Sequence, residues 1–162
     1  MGETAFASDE LTQSHYAIAQ LNDGRYGDTS ILSAQGITRL HTPVIPTMLG
    51  GDDHYAMGWF VSEWDGIPAV WHDGNDGLFH SIALLTPERG MGFVLLANAS
   101  GFVQLWQVPG IAKGIFSLLD GKPPAPIALP FKVRFLYWAV LLTPVLMVFG
   151  IAYSWRRWRN KG

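Results

Sequence analysis

The sequence predicts an α+β fold, an antiparallel β-meander packed with helices and followed by one transmembrane helix. Three observations predict it. Residues 55–98 hold four apolar runs of strand length, joined by short connections rich in Gly, Asp, Asn and Pro, which is the spacing of consecutive antiparallel strands. Segments with helical patterning flank these runs on both sides. Beyond them, 21 residues from Phe135 to Trp155 carry no charge and lead into a basic tail.

Taken in order, residues 8–22 read as a helix. Ser8 stands where an N-cap belongs, Asp9 and Glu10 suit the positive end of the helix dipole, and Tyr16, Ile18, Ala19 and Leu21 form an apolar face. Asn22-Asp23-Gly24 stops it. Ser33 caps a short helix through Leu40, ahead of Thr42-Pro43. Residues 42–53, with two prolines and Gly50-Gly51-Asp52-Asp53, read as a loop. The strands are Tyr55–Ser62, Ile67–Trp71, Phe79–Leu85 and Met91–Asn98; Pro68 requires either an edge position or a place among the first residues of its strand. His72 opens the connection after the second strand, where Asp73-Gly74-Asn75-Asp76-Gly77 carries turn chemistry. Gly101–Leu119 reads as a helix interrupted near Pro109-Gly110. Residues 121–134 form a Pro-rich linker, 135–155 the transmembrane helix and 156–162 a basic cytoplasmic tail.

Composition narrows the function. With 15% charged and 49% hydrophobic residues, the chain is neither disordered nor a nucleic-acid binder. Residues 1–130 hold all 13 acids and five bases, a net of −8, whereas residues 131–162 hold six bases and no acid. There is no cysteine, which excludes disulfides, Cys-ligated metals and a thiol nucleophile. His15, His41, His54 and His80 do not form a metal set by spacing, and no metal or cofactor is expected. Asp52-Asp53 and Asp73/Asp76 read as solvated loop acids.

A 21-residue helix is about 30 Å long, the hydrocarbon thickness of a bilayer. Tyr137 and Trp138 near one end, and Tyr153, Trp155 and Trp158 near the other, form the aromatic belts such a span requires. Arg156, Arg157, Arg159 and Lys161 outnumber Lys132 and Arg134, which places the C-terminus in the cytoplasm and the body outside, a single-pass membrane protein. The first 30 residues show no signal peptide. The expectation drawn from this conflict is that the chain lacks its natural N-terminal portion.

Several segments together resemble the C-terminal portion of the serine β-lactamase-like family, the penicillin-recognising serine hydrolases that include class C β-lactamases, DD-peptidases and related esterases. They are Ala19–Tyr26, Ile31–Pro43, Tyr55–Phe60, His72-Asp73-Gly74, Phe79-His80-Ser81, Pro87–Gly92 and Val94–Asn98, in the family's order, across residues 15–119. The resemblance makes residues 1–120 a partial β-lactamase-like domain. It implies that His72-Asp73-Gly74 is the third active-site motif, on the strand edging the substrate cleft. His72 then takes the cationic or hydrogen-bonding position, Gly74 allows close backbone approach, the N–H of Asn75 donates to the oxyanion, and Asp73 places negative charge beside the substrate. Position by position, Thr12-Gln13 falls where the family has an acidic-plus-apolar pair, so residues 1–14 reflect either a small insertion or a different reading frame or start site.

The family's nucleophile sits in Ser-x-x-Lys, and none of the nine serines here has Lys three residues later; Tyr-x-Asn is missing as well. Two readings follow. The chain is the C-terminal part of a membrane-anchored serine hydrolase acting on peptide, ester or β-lactam carbonyls, inactive alone, whose partner is the missing N-terminal part of the same domain. The alternative is a non-catalytic, membrane-tethered binding protein derived from the fold.

Overall fold

A computed structural model of the chain describes residues 10–47, 53–124, 126–127 and 129–160. The predicted cap Ser8, its neighbour Asp9, and Gly50, Gly51 and Asp52 of the predicted loop lie outside the described residues. The chain divides into two compact units, Met1–Ala112 and Lys113–Gly162.

The first unit is an α+β body. It opens with helix α1 (Glu10–Leu21), whose buried side chains Gln13, Ala17 and Gln20 recur at helical spacing. Of the predicted apolar face, Ala19 is buried and Leu21 packs on the core, whereas Tyr16 and Ile18 are corrected: both are exposed, because the small Ala17 and Ala19 allow the closer approach to the sheet. Asp23 (φ 50°) and Gly24 (φ 81°) turn the chain left-handed and end the helix, with the Gly24 N–H donating to the Ala19 carbonyl at 2.8 Å. A two-residue hairpin follows, β1 (Arg25–Tyr26) with β2 (Thr29–Ser30), which the sequence pattern did not reveal. Helix α2 (Ala34–Leu40) is capped as expected, the Ser33 hydroxyl accepting from the Gly36 N–H at 3.1 Å.

The sheet has six antiparallel strands in sequence order: β3 (Ile45–Pro46), β4 (His54–Tyr55), β5 (Phe60–Trp64), β6 (Ile67–Asn75), β7 (His80–Thr86) and β8 (Met91–Ala97). Three expectations are corrected. Ile45–Pro46, assigned to a loop, is an edge strand paired with β4. The run Tyr55–Ser62 is two strands, broken where Gly58 adopts φ 85°. Most consequential, β6 does not stop at Trp71; it continues through His72, Asp73 and Gly74 to Asn75, because β7 supplies a partner for every residue from Val70 to Asn75. Pro68 is the second residue of β6, consistent with its missing N–H. Asp65 (φ 53°) and Gly66 (φ 80°) make the two-residue β5–β6 turn, whose double left-handed twist matches that of the strands.

Both sheet faces are covered. Ala17 of α1 packs with Trp59, Val70 and Leu85, and Leu21, Leu40, Val61, Ala83 and Val94 surround them. On the opposite face Ile82 packs with Val108 and Ala112 of α3 (Gln104–Leu119), among Trp64, Phe93, Leu95 and Ala97. The expected interruption of α3 is absent: Pro109 lies within a continuous helix.

In the second unit, α4 (Phe131–Arg159) starts four residues before the predicted span, so residues 131–134 of the expected linker are helical. At 29 residues it is about 43 Å long. By length and composition it is able to cross a membrane.

Candidate active site

The candidate residues occupy the last four positions of β6. Strand β5 pairs with β6 from Trp64↔Ile67 to Phe60↔Trp71 and goes no further, while β7 pairs on to Asn75↔His80. Among the described residues, His72, Asp73, Gly74 and Asn75 therefore have a strand on one side only. They form an open edge about 13 Å long inside an otherwise paired sheet.

Alternation along the strand separates these four residues. Gly74 lies opposite Ser81 and His72 opposite Ala83, a member of the cluster under α1. Asp73 lies opposite Ile82, a member of the cluster under α3, and Asn75 shares that side. The register thus starts His72 and Gly74 on one face of the strand and Asp73 on the other, and the His72 ring reaches round the end of β5 to Tyr55 and Phe60.

The His72 imidazole is half-buried. Its Nε2 is 3.2 Å from the Tyr55 hydroxyl, which donates when Nε2 carries no proton and accepts when it does. Its ring stacks on Phe60 at 5.5 Å with a 29° interplanar angle, and Phe60 stacks in turn on Trp71 at 4.7 Å. Trp71 is fixed by donating to the Ser62 hydroxyl at 2.9 Å. An aromatic wall thus holds the histidine where β5 ends. Tyr55 is a site residue that sequence reasoning missed. It lies 17 residues from His72, and only the register of β4, β5 and β6 brings the two together.

At Gly74 a Cβ would stand 3.0 Å from the Ser81 hydroxyl oxygen, a tight contact that the serine would have to relieve by shifting. The Asn75 side chain is committed to the turn: its Oδ1 accepts from the Gly77 N–H at 2.9 Å and from the Ser100 hydroxyl at 2.8 Å. Its main-chain N–H is separate from these bonds. Asp76, read from sequence as a solvated acid, accepts from the N–H groups of Phe79 at 2.7 Å and Leu78 at 2.9 Å. Those two donors hold its carboxyl below the usual range. The turn that closes the site is therefore two residues of Asx geometry, placed after β6 rather than at His72-Asp73-Gly74.

Under the strand, on the α3 side, His80 is buried with 2% of its surface exposed, and neither ring nitrogen makes a hydrogen bond among the described residues. Its Nε2 stands 3.6 Å from Asp73 Oδ2, a diagonal cross-strand pair. Among the described residues no three His, Asp or Glu side chains gather as a metal site.

A six-stranded antiparallel meander between helices, with its central strand left open over a His-x-Gly, defines a domain of the β-lactamase and penicillin-binding-protein class. The profile of the Beta-lactamase family matches residues 12–109, and the chain belongs to that family. Among solved structures, it is similar to the octameric penicillin-binding protein homologue from Pyrococcus abyssi, with a TM-score of 0.62 and 28% identity over 76% of this chain and 26% of that one. Among curated proteins, it is similar to Unguisins hydrolase ungD' of Aspergillus campestris, with 36% identity over 46% of this chain and 13% of that protein. It is also similar to Protein flp of Staphylococcus aureus (strain N315), with 28% identity over 66% of this chain and 21% of that protein. The chain thus spans about a quarter or less of the length of these relatives.

Proposed function

We propose that this chain supplies one wall of a serine-hydrolase cleft, the strand along which an acyl substrate of peptide, ester or β-lactam type lies, and that it is held at the membrane by α4. The observation that carries the reading is the overhang of β6, which among the described residues leaves the main chain of His72–Asn75 without a strand on one side. An unpaired strand offers N–H and C=O groups to an extended guest, so the substrate's own amide becomes the next ladder partner. Gly74 keeps that approach free of a side chain, and the Asn75 N–H is the oxyanion donor. His72, with its orientation fixed by Tyr55 and Phe60, contributes a hydrogen bond or positive charge at the open edge. Asp73 places negative charge beside the same edge, with its carboxylate 3.6 Å from His80 Nε2.

The chain does not acylate by itself in this reading, because no serine here is followed by Lys at the third position. Membrane attachment through α4, with the body outside and the C-terminus in the cytoplasm, belongs to the same proposal. A polypeptide supplying Ser-x-x-Lys and Tyr-x-Asn is the partner that completes the site. The alternative, a binding protein without catalysis, is supported by the same missing serine motif.

Labelling tests this reading. The full chain in mild detergent, incubated with a fluorescent penicillin or fluorophosphonate, is expected to remain unlabelled. Co-expressed with a polypeptide carrying the other two motifs, it is expected to restore labelling of that polypeptide, with the yield reduced by His72→Ala. Stoichiometric covalent labelling of the chain alone would overturn the missing-nucleophile argument. Failure of restoration with every such partner would favour the binding-protein reading.

A further inference from the structure

We propose that the C-terminal end of α4 is a binding site for the phosphate of anionic phospholipids; the proposal rests on the reading of α4 as a membrane span. The last turn presents Arg156, Arg157 and Arg159 together with Trp155 and Trp158. At about 100° per residue, the three arginines fill a continuous arc of about 160°, and the two tryptophans stand about 60° apart on the remaining side. The end of the helix therefore has a cationic side and an aromatic side. The two meet where the Arg159 guanidinium lies over the Trp155 ring, 5.5 Å from its centre.

Residues 121–162 contain no Asp or Glu, so no side-chain carboxylate of this stretch pairs with the guanidiniums. The negative end of the helix dipole offsets only about half an elementary charge. The aromatic rings, 61% exposed at Trp155 and 74% at Trp158, are amphipathic groups suited to the headgroup layer. Seated there, they bring the arginines level with the lipid phosphates. A guanidinium fork matches phosphate oxygens two at a time, which an ammonium does not. The opposite end of α4 carries Lys132 and Arg134, two cations against three arginines and Lys161. The asymmetry makes the C-terminal end the stronger site.

The test uses the full chain in nanodiscs of equimolar phosphatidylglycerol and phosphatidylcholine, with retained lipids counted by native mass spectrometry. At about 1 kcal/mol per basic residue near the surface, each arginine is worth roughly a fivefold preference at low salt. The expected result is a several-fold excess of phosphatidylglycerol, shrinking as sodium chloride is raised from about 0.1 to about 0.5 M. R156Q/R157Q/R159Q is expected to remove most of the excess, leaving only what Lys161, Lys132 and Arg134 retain, R156K/R157K/R159K to keep an intermediate part of it, and K132Q/R134Q to leave most of it. Resistance to alkaline carbonate extraction is measured on each protein. Extraction of the wild-type chain sinks the membrane span and this site together. A resistant wild-type chain with a lipid ratio of one sinks the lipid site alone. Displacement of phosphatidylglycerol by millimolar glycerol 3-phosphate, or tighter binding of RNA than of the lipid, also overturns the proposal.

Discussion

At the residue scale, His41 shows how burial and a partner shape a titrating group. Its Nε2 donates to Gln20 Oε1 at 2.9 Å and its ring meets Trp59 edge-on at 5.6 Å, so helix α1, the end of α2 and the start of β5 are joined through one imidazole. Burial disfavours its charged form and lowers its pKa below 6.5. The unfolded chain therefore binds the proton more readily than the folded one, and stability rises with pH through that window. Acidification from pH 7 toward 5 is expected to destabilise the body, and His41→Gln to flatten that dependence; unfolding followed by tryptophan fluorescence at several pH values measures both. Gly24 is a second such position. Its φ of 81° and the Leu32 carbonyl oxygen, 2.1 Å from where a Cβ would stand, leave no room for alanine. Gly24→Ala is expected to cost at least about 1–3 kcal/mol in urea unfolding. A loss below that range would show that the turn relaxes. His80 was legible only as an ordinary histidine, because nothing local reveals that β8 and α3 bury it.

At the element scale, the strands and caps were legible wherever a local pattern coincided with its tertiary role. Ser33 is the clearest instance, a cap read from sequence and made as read, and Ser33→Ala is expected to lower stability by about 1 kcal/mol. An unchanged unfolding midpoint would remove the cap from the account. The end of β6 was misread for a physical reason. His72-Asp73-Gly74-Asn75 has poor β-propensity and good turn chemistry, and only pairing with Ala83, Ile82, Ser81 and His80 keeps it extended. The error fell on the candidate site itself, where local preference and function conflict. The face of α1 was misjudged similarly, since buried Gln13 and Gln20 look like surface residues until their neighbours are known. Pro109 was expected to break α3, yet the helix absorbs it, as packed helices do when neighbouring contacts outweigh one lost hydrogen bond. In the core, Ile82→Ala is expected to cost about 2–5 kcal/mol, because Ile82 is 2% exposed beneath Val108 and Ala112. A cost under 1 kcal/mol would mean that this face is loosely packed.

At the scale of the whole molecule, the acidic body and the basic end of α4 were both legible, since each depends only on counting charges. The orientation proposed from that asymmetry is open to direct measurement. The chain has no cysteine, so a single introduced thiol reports its own location. D28C in the body is expected to react with a membrane-impermeant maleimide in intact cells, and N160C only after permeabilisation. The reverse pattern would invert the topology. The order of strands was legible because each connection is short, whereas the contacts that build the site span distant positions. Tyr55 with His72, Asn75 with Ser100 and His41 with Gln20 are made by the tertiary fold, not by sequence spacing.

The overhang of β6 has a consequence for solubility. A strand edge that welcomes a guest backbone is equally a template for another copy of the chain, and edges of this kind seed aggregation when they are long, flat and apolar. This one is about four residues long, carries a carboxylate at Asp73 and lacks a side chain at Gly74. Two copies pairing edge to edge would draw two Asp73 carboxylates together and gain little side-chain packing in return. The residues that make the edge accessible to a small extended ligand thus also make it a weak adhesive between proteins.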